Sequence, residues 1–203
     1  MKSINSAMIA NKLKMQFPFM ANDEIALFLS ICTLKNYKAK EAILDINGNN
    51  RNFAIVLTGV IRGYFVNKEG VERNVILRPE GTAFGAPEAL SASTDSKYAF
   101  ETILDSTLLI FNLEGLEALA KRYSGIFDMY IWGLKENLHI LNYRIESMID
   151  LTPEERYQDL LEKHPHFFQT VFNKHIANFL GITPVSLSRI IARIKNTKTK
   201  LSE

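Results

Sequence analysis

Apolar and polar residues follow three different periods along the chain. Residues 22–34, NDEIALFLSICTL, combine an Asn suited to capping, acids in the first turn and apolar residues at helical spacing, which predicts a short opening helix. From about Ala42, short β-branched and aromatic runs are separated by turns at Gly59, Gly70 and Gly81. A second group, YAFETILDSTLLIFNLEGL, begins at Tyr98. Short strands with close turns and no helices between them predict an antiparallel β-roll or jelly roll.

The third period begins at Phe127 and predicts one helix of about 25 residues, because apolar residues recur at alternating spacings of four and three. Such a coiled-coil seam packs against a copy of itself or against its own domain. We expect a homodimer, since a two-fold partner covers the seam along its full length. Gly133 lies beside the seam and permits a close approach. The seam residues are Phe127, Ile131, Leu134, Leu138, Leu141, Ile145 and Met148.

A new helix is predicted after Asp150, because Thr152 can cap it, Pro153 suits its first position and Glu155 stands at capping-box distance. With 203 residues, 47% apolar and 23% charged, the chain is long enough for one large module and a small one. We therefore divide it into an N-terminal β-roll sensor domain with flanking helices (1–122), a long dimerisation helix (123–149) and a C-terminal helix-turn-helix domain (150–203).

The helix-turn-helix prediction rests on residues 173–195, NKHIANFLGITPVSLSRIIARIK. Gly181 can end a first short helix in a left-handed conformation, Thr183 can cap a second helix, and Pro184 fits its first position. Two amphipathic helices joined by such a turn are typical of the helix-turn-helix. The apolar positions are Ile176, Ala177 and Leu180 on the first helix and Leu187, Ile190, Ile191 and Ile194 on the second.

The outward positions of the second helix are small near its start and basic further along. No acid occurs between Glu162 and Glu203, although seven Lys and Arg residues fall in that interval, and this suits a polyanionic partner. A basic tail without a partner, or two helices of an ordinary bundle, would share parts of the pattern. The Gly turn, the Thr-Pro start and the acid-free stretch together favour DNA. We expect DNA contacts from Lys174, Thr183, Val185, Ser186, Ser188, Arg189 and Arg193.

The order of β-roll, long helix and helix-turn-helix resembles the Crp/Fnr family of bacterial transcription regulators over nearly the whole chain. The segments LTPEERYQDLLEKHP and HIANFLGITPVSLSRI are similar to the branch of the family common in Bacteroidetes. The resemblance implies an α+β fold with a cyclic-nucleotide-binding-like jelly roll, a parallel dimer helix and a winged helix-turn-helix. It also implies a pseudo-palindromic site in double-stranded promoter DNA and RNA polymerase as a further partner.

Carried over by position, the resemblance implies that Arg189 reads a base and that Thr183 and Ser186 contact phosphate. Pro184 and Val185 stand where the cyclic-AMP receptor has an Arg and a Glu, so the bases read there should differ. Val185 would either contact a thymine methyl group or pack.

The resemblance also places an effector pocket at Gly85, Ala86, Ser96 and Lys97. The members that bind cyclic AMP have Gly-Glu-Leu, followed eleven residues after the Gly by Arg-Ser; here the matching residues are Gly85-Ala86-Pro87 and Ser96-Lys97. Because a buried cyclic phosphate without its cation is costly, we expect an effector other than cyclic AMP, of open identity. Lys97 would supply a charge one position on or be an exposed loop residue.

Other candidate chemistry is weak, so we predict no enzyme, no cofactor and no metal. The single Cys32 cannot form an internal disulfide or hold an iron–sulfur cluster, and it suits a buried small hydrophobe better than a reactive thiol. His164 and His166 flank a Pro without a nearby Cys or carboxylate, which indicates an exposed loop. Glu154 and Glu155 fit first-turn helix charge.

Two other function classes remain open as alternatives. One is a β-roll small-molecule-binding protein whose C-terminal module mediates protein contacts. The other is a cupin-like enzyme, which needs a His/Glu metal set on the strands, whereas all four His residues lie outside the predicted roll. No apolar run reaches the roughly 18 residues of a membrane span, and Lys12 and Lys14 interrupt any signal-peptide core, so we expect a cytoplasmic protein.

Overall fold

The computed structural model describes residues 6–44, 51–90 and 96–200, the last four by their backbone alone. The N-terminal helices are α1 (Ser6–Gln16) and α2 (Asn22–Ser30). The strands are β1 (Cys32–Tyr37), β2 (Ala42–Leu44), β3 (Asn52–Thr58), β4 (Val60–Val66), β5 (Glu72–Pro79), β6 (Ala83–Gly85), β7 (Ala99–Thr102) and β8 (Ser106–Asn112). The later helices are α3 (Leu113–Ala120), α4 (Ser124–Asp150), α5 (Pro153–Lys163), α6 (Phe167–Thr170), α7 (Asn173–Phe179) and α8 (Pro184–Lys200).

The strands form two antiparallel four-stranded sheets, which confirms the predicted β-roll. The first sheet has the order β1-β8-β3-β6 and the second has the order β2-β7-β4-β5. Buried apolar residues of both sheets, including Val56, Ile61 and Leu108, pack together inside the roll. Gly59 joins β3 to β4 with a φ of 95°, a conformation that side chains with a Cβ rarely adopt.

The opening of the chain differs from the prediction. The helix predicted over residues 22–34 ends at Ser30, and Asn22 is its first helical residue rather than its cap. Cys32 begins β1, which pairs with β8, because the central strand β8 needs a partner on each side. Helix α1 was not predicted; it is held by the buried Ile9 and Leu13, which pack in the same apolar cluster as α2 and the start of α4.

Cys32 is half-buried, and its thiol donates to the carbonyl oxygen of Phe28 over 3.1 Å. Burial raises the pKa of this thiol to about 12, so it stays protonated at neutral pH. The environment fits the predicted small hydrophobe.

The helix-turn-helix is formed as the sequence predicts. Thr152 caps α5 in a capping box with Glu155, and α5 begins at Pro153. Helix α7 ends at Phe179, Gly181 has a φ of 74°, and α8 begins at Pro184. Residues 153–200 contain no strand, so the wing that the resemblance implies is not found in this described part of the module.

The C-terminal helices pack on the outer face of the second sheet. Val60, Leu77 and Ile103 are buried on this face, in one apolar cluster with residues of α5 to α8. The free edge of β5 is closed by Asn178 of α7, whose Oδ1 accepts from the backbone N–H of Asn74 over 2.6 Å. Its Nδ2 donates to the carbonyl oxygen of Glu72 over 2.8 Å. The helix-turn-helix is therefore seated on a strand of the roll.

Candidate nucleic-acid interface

The second helix of the helix-turn-helix, α8, is fixed from one side only. Leu187 and Ile190 are buried in the module core. At its start, the backbone N–H of Ser186 donates to Thr183 Oγ1 over 3.1 Å, and the hydroxyls of the two residues lie 3.0 Å apart. Thr183 thus caps α8, as predicted, and Ser186 is turned partly toward this cap.

The other side of α8 faces solvent. Val185 is 61% exposed, and Ser188 and Arg189 are also exposed. Ser188 donates to the Pro184 carbonyl over 3.0 Å, whereas Arg189 has no hydrogen bond or ion pair to the rest of the described chain. The first turn carries no acid. The helix therefore presents an uncommitted guanidinium, that of Arg189, about a turn and a half from its start.

Arg193 departs from the expected arrangement. Its guanidinium lies 3.0 Å from the carboxylate of Glu154, in the first turn of α5. The stretch around α8 is acid-free along the sequence but not in space, because the chain brings α5 beside α8. Arg193 therefore forms a partly exposed ion pair between the two helices, in addition to facing the outward side.

A cavity of about 720 Å³ separates the start of α8 from the roll. Lys174 and Thr183, both exposed and both predicted DNA contacts, lie on one wall of this cavity. The roll supplies charges of both signs on the other wall, from Lys40, Arg73 and Glu101. These two predicted contacts therefore stand nearer to the roll than Val185, Ser188 and Arg189 do.

Arg62 is the buried centre of that wall. Its guanidinium donates to Glu72 over 2.6 Å and to Glu101 over 3.0 Å, and it lies 4.1 Å from the ring centre of Tyr64. Burial, reinforced by the positive charge of Arg62, lowers the pKa of His175 to about 4. His175 is therefore neutral at pH 7 and adds no charge to the module surface.

Within one chain, most of the predicted seam of α4 is exposed to solvent. Ile126 and Met129 anchor the start of the helix in the core, on its other side. The seam residues Ile131 and Leu134 are half-buried, whereas the other five are exposed. The exposed fractions are Phe127 48%, Leu138 60%, Leu141 42%, Ile145 57% and Met148 42%. A continuous exposed apolar face of this length is typical of an interaction surface.

The predicted effector residues are brought together only in part. Gly85 and Ala86 line a cavity of about 100 Å³ inside the roll, but Ser96 and Lys97 do not line it. A Cβ built on Gly85 would lie 2.5 Å from the ring of Phe53, so an aromatic side chain already occupies the space beside this glycine. The cavity is smaller than the ~300 Å³ at which small-molecule pockets begin.

Ser96 and Lys97 are committed to the local turn. The Ser96 hydroxyl donates to the Tyr98 carbonyl over 2.9 Å and accepts from the Tyr98 N–H over 3.1 Å. Glu88, in a 3₁₀ turn (Pro87–Leu90), accepts from the Lys97 backbone N–H over 3.3 Å. The Lys97 side chain is exposed, as one of the two alternatives expected.

Two charged residues that the sequence analysis missed lie elsewhere, between the roll and α4. Arg78 of β5 is 3% exposed and Glu136 of α4 is half-buried. The available signal was the alternation of β5, since Arg78 occupies an inward strand position, opposite Ile61 of β4. No motif marked either residue.

The remaining candidates are the two histidines that follow α5. The rings of His164 and His166 contact each other and Phe167, and His164 is half-buried at the end of α5 rather than exposed. Among the described residues, no group of three His, Cys, Asp or Glu side chains is placed to hold a metal ion. None of the described helices is long and apolar enough to cross a membrane.

Comparison with known proteins gives matches among solved structures. No family model and no curated protein matches the sequence. FixK2 from Bradyrhizobium japonicum superposes with a TM-score of 0.71 at 18% identity, over 83% of this chain and 86% of FixK2. The global regulator CLP from Xanthomonas campestris, described as responsive to c-di-GMP, superposes with a TM-score of 0.69 at 15% identity, over 88% and 93%.

A third structure, from Eubacterium rectale and assigned to the Crp/Fnr family of transcriptional regulators, has a TM-score of 0.67 at 15% identity. The similarity covers 92% of this chain and 88% of that one. At these identities the comparison establishes the fold, and the resemblance indicated by the sequence is confirmed at that level. The chain has the fold of the Crp/Fnr transcriptional regulators.

Proposed function

We propose that the chain is a DNA-binding transcriptional regulator of the Crp/Fnr type, which acts as a homodimer on double-stranded promoter DNA. The observation that carries the proposal is the outward face of α8. Its apolar side is used in the module core, while Val185, Ser188 and Arg189 point outward from a helix start with no acid in its first turn.

In this proposal α8 enters the major groove by its N-terminal half. The hydroxyls of Thr183 and Ser186 would meet phosphate oxygens and fix the register. Arg189 lies about a turn and a half into the helix, where its unpaired guanidinium can donate to both acceptors of a guanine. Lys195 lies beyond the buried face of α8 and would reach only the DNA backbone.

Arg193 has a more limited part in this arrangement. Because its guanidinium pairs with Glu154, contact with a phosphate would have to compete with that ion pair. Both side chains are partly exposed, so the pair contributes little stability and does not prevent a second contact. We therefore keep Arg193 as a backbone contact and assign it no base reading.

The homodimer is proposed through the seam of α4. The seam leaves five large apolar side chains exposed within one chain, and a parallel two-fold partner would cover all of them at once. An added Cβ on Gly133 meets nothing within 4 Å, so this position leaves room for a partner helix. The two-fold axis would also set two copies of α8 against two half-sites of one DNA duplex.

The proposed effector is not cyclic AMP. Ala86 and Ser96 stand where the Glu and the Arg of the cyclic-AMP-binding members are expected, and Ser96 is already hydrogen-bonded to Tyr98. Contact with RNA polymerase stays a proposal from the family resemblance. We propose no enzymatic activity.

The alternative function is a β-roll small-molecule-binding protein whose C-terminal module contacts other proteins. Val185 and Phe172 favour it, because both are large apolar residues more than half exposed on that module. A gel shift against promoter DNA, including the DNA upstream of the protein's own gene, separates the two functions. Saturable binding to that DNA supports the regulator, and failure to bind any promoter fragment supports the alternative.

Replacing Arg189 with Ala should weaken binding to a selected DNA site by on the order of 1–3 kcal/mol and flatten the preference at one base pair per half-site. Binding to random DNA should be nearly unchanged. By contrast, Lys195→Ala should weaken selected and random DNA about equally and make the salt dependence shallower, because a phosphate contact carries no sequence information. Fluorescence anisotropy on both duplexes at several salt concentrations measures these effects.

The matched control for these variants is Arg122→Ala, which removes an exposed cation from the roll end of the chain and should leave both affinities unchanged. If Arg189→Ala weakens selected and random DNA alike, Arg189 is a phosphate contact. The contacts to base edges would then have to come from Val185, Ser186 and Ser188.

Replacing Leu138 with Glu should separate the protomers, because the dimer would have to bury an unpaired carboxylate at the centre of the seam. Light scattering should give the mass of a monomer for this variant. Asn142→Glu places the same charge on the same helix off the seam and should remain dimeric. A Leu138→Glu variant that still dimerises would show that α4 is not the interface.

Cyclic AMP at micromolar concentration should neither bind the chain nor change its affinity for DNA, because Ala86 and Ser96 occupy the positions at which the Glu and the Arg that hold the nucleotide are expected. Isothermal calorimetry checks the binding, and anisotropy with and without the nucleotide checks the coupling. Saturable heat at micromolar concentration would contradict this prediction and direct attention to Lys97.

A further inference from the structure

A third cavity lies at the junction of β5, α4 and the C-terminal helices. We call it the junction cleft; its volume is about 360 Å³, within the range of small-molecule pockets of ~300–1,000 Å³. It shares no lining residue with the cavity beside Gly85. Its walls are largely apolar, from Ile76, Leu77, Ile140, Leu160, Phe167 and Phe179.

One buried cation lines this cleft without a full set of partners. Arg78 of β5 is 3% exposed, and one of its terminal nitrogens donates to Asn137 Oδ1. Its Nε is buried and has no hydrogen-bond partner in the described chain. A guanidinium retains its charge even when buried, so this N–H requires an acceptor.

A half-buried carboxyl group also lines the cleft. Glu136 of α4 precedes Asn137, and its Oε2 is buried without a hydrogen-bond partner in the described chain. Burial raises the pKa of Glu136, while the charge of Arg78 acts in the opposite direction. Arg78 and Glu136 interact electrostatically, but none of their nitrogen–oxygen distances is within the 4.0 Å that defines an ion pair. The cleft therefore presents a separated positive and negative charge.

The other charged groups that line the cleft have partners. Arg144 donates to the Phe179 carbonyl and lies 4.1 Å from the centre of that ring. Lys163 lies 2.8 Å from Asp159 Oδ1 and 4.0 Å from the ring centre of Tyr143. His139 is exposed and His164 half-buried. The uncommitted pair in this site is thus Arg78 and Glu136.

We propose that the junction cleft binds a small apolar α-amino acid. Its carboxylate would accept from the guanidinium of Arg78, its ammonium group would donate to the carboxylate of Glu136, and its side chain would lie against the apolar walls. The zwitterion complements a site that holds one charge of each sign. A plain carboxylic acid would leave its anion beside Glu136, and a plain amine would leave its cation beside Arg78, so each of these meets repulsion.

Such a ligand would touch all three parts of the chain. Arg78 and Leu77 belong to the roll, Glu136 belongs to α4, and Leu160 and Phe167 belong to the C-terminal module. Its occupancy would therefore hold the helix-turn-helix on the roll, which gives the cleft a regulatory role. That regulatory role rests on the proposed function, whereas binding of the amino acid does not.

Calorimetry on the full chain tests the site with four probes. L-leucine and L-phenylalanine represent the proposed ligands, 3-phenylpropionate lacks the ammonium group, and phenethylamine lacks the carboxylate. At least one amino acid should bind saturably, and both truncated probes should bind at least about tenfold more weakly, since each forfeits a charged hydrogen bond. If neither amino acid binds, or if 3-phenylpropionate binds as tightly as L-phenylalanine, the proposal is overturned.

The variant Glu136→Gln tests the pairing, because it preserves shape and removes the negative charge. It should shift the ratio of the two dissociation constants by about tenfold in favour of 3-phenylpropionate over L-phenylalanine, an effect that a structural role alone would not produce. Glu146→Gln, an exposed residue of the same helix, should leave the ratio unchanged. An unchanged ratio in Glu136→Gln would refute the site. DNA affinity measured without amino acid tests the proposed function separately.

Discussion

A strand at the edge of a sheet leaves backbone donors and acceptors that must be covered, and in this chain Asn178 covers those of β5. Its amide bonds to Asn74 and Glu72 as a neighbouring strand would, while Leu77 beside them buries its side chain under the C-terminal helices. A buried donor left without a partner costs roughly 1–3 kcal/mol, so this contact sets where α7 lies. The position of α8 follows from α7 through the turn at Gly181.

The packing of the helix-turn-helix against β5 determines which surfaces of the chain remain exposed to solvent. The second sheet contributes apolar residues to two clusters, one inside the roll and one under the helix-turn-helix, and the core side of α8 packs in the second of these. Among the outward surfaces of the described residues are the seam of α4, centred on Leu138, and the face of α8 that carries Arg189. One is apolar and linear, as a helix partner requires, and the other is small and basic, as a DNA groove requires. The proposed function joins these two surfaces.

Local chemistry was predictable from the sequence, and long-range contact was not. Thr152 and Thr183 each cap a helix at the predicted residue, because a cap depends on neighbours three positions away. The sequence analysis placed Cys32 in a helix, because the spacing of apolar residues over only four positions does not distinguish the end of a helix from a strand. In the structure Cys32 lies in β1, because that segment pairs with β8. The pairing of Arg193 with Glu154 and the opposition of charges across the junction cleft depend on residues far apart in sequence, which no local pattern reports.

The central claim is that two copies of the chain read one DNA duplex through α8. Selection of binding sites from random double-stranded DNA by the unmodified protein tests it most directly. A parallel dimer with one α8 per half-site should enrich two-fold symmetric sequences whose half-site centres lie about one helical turn apart, ~34–36 Å, or a multiple of it. No enrichment, or enrichment of a single asymmetric motif without a repeated half-site, would contradict the account.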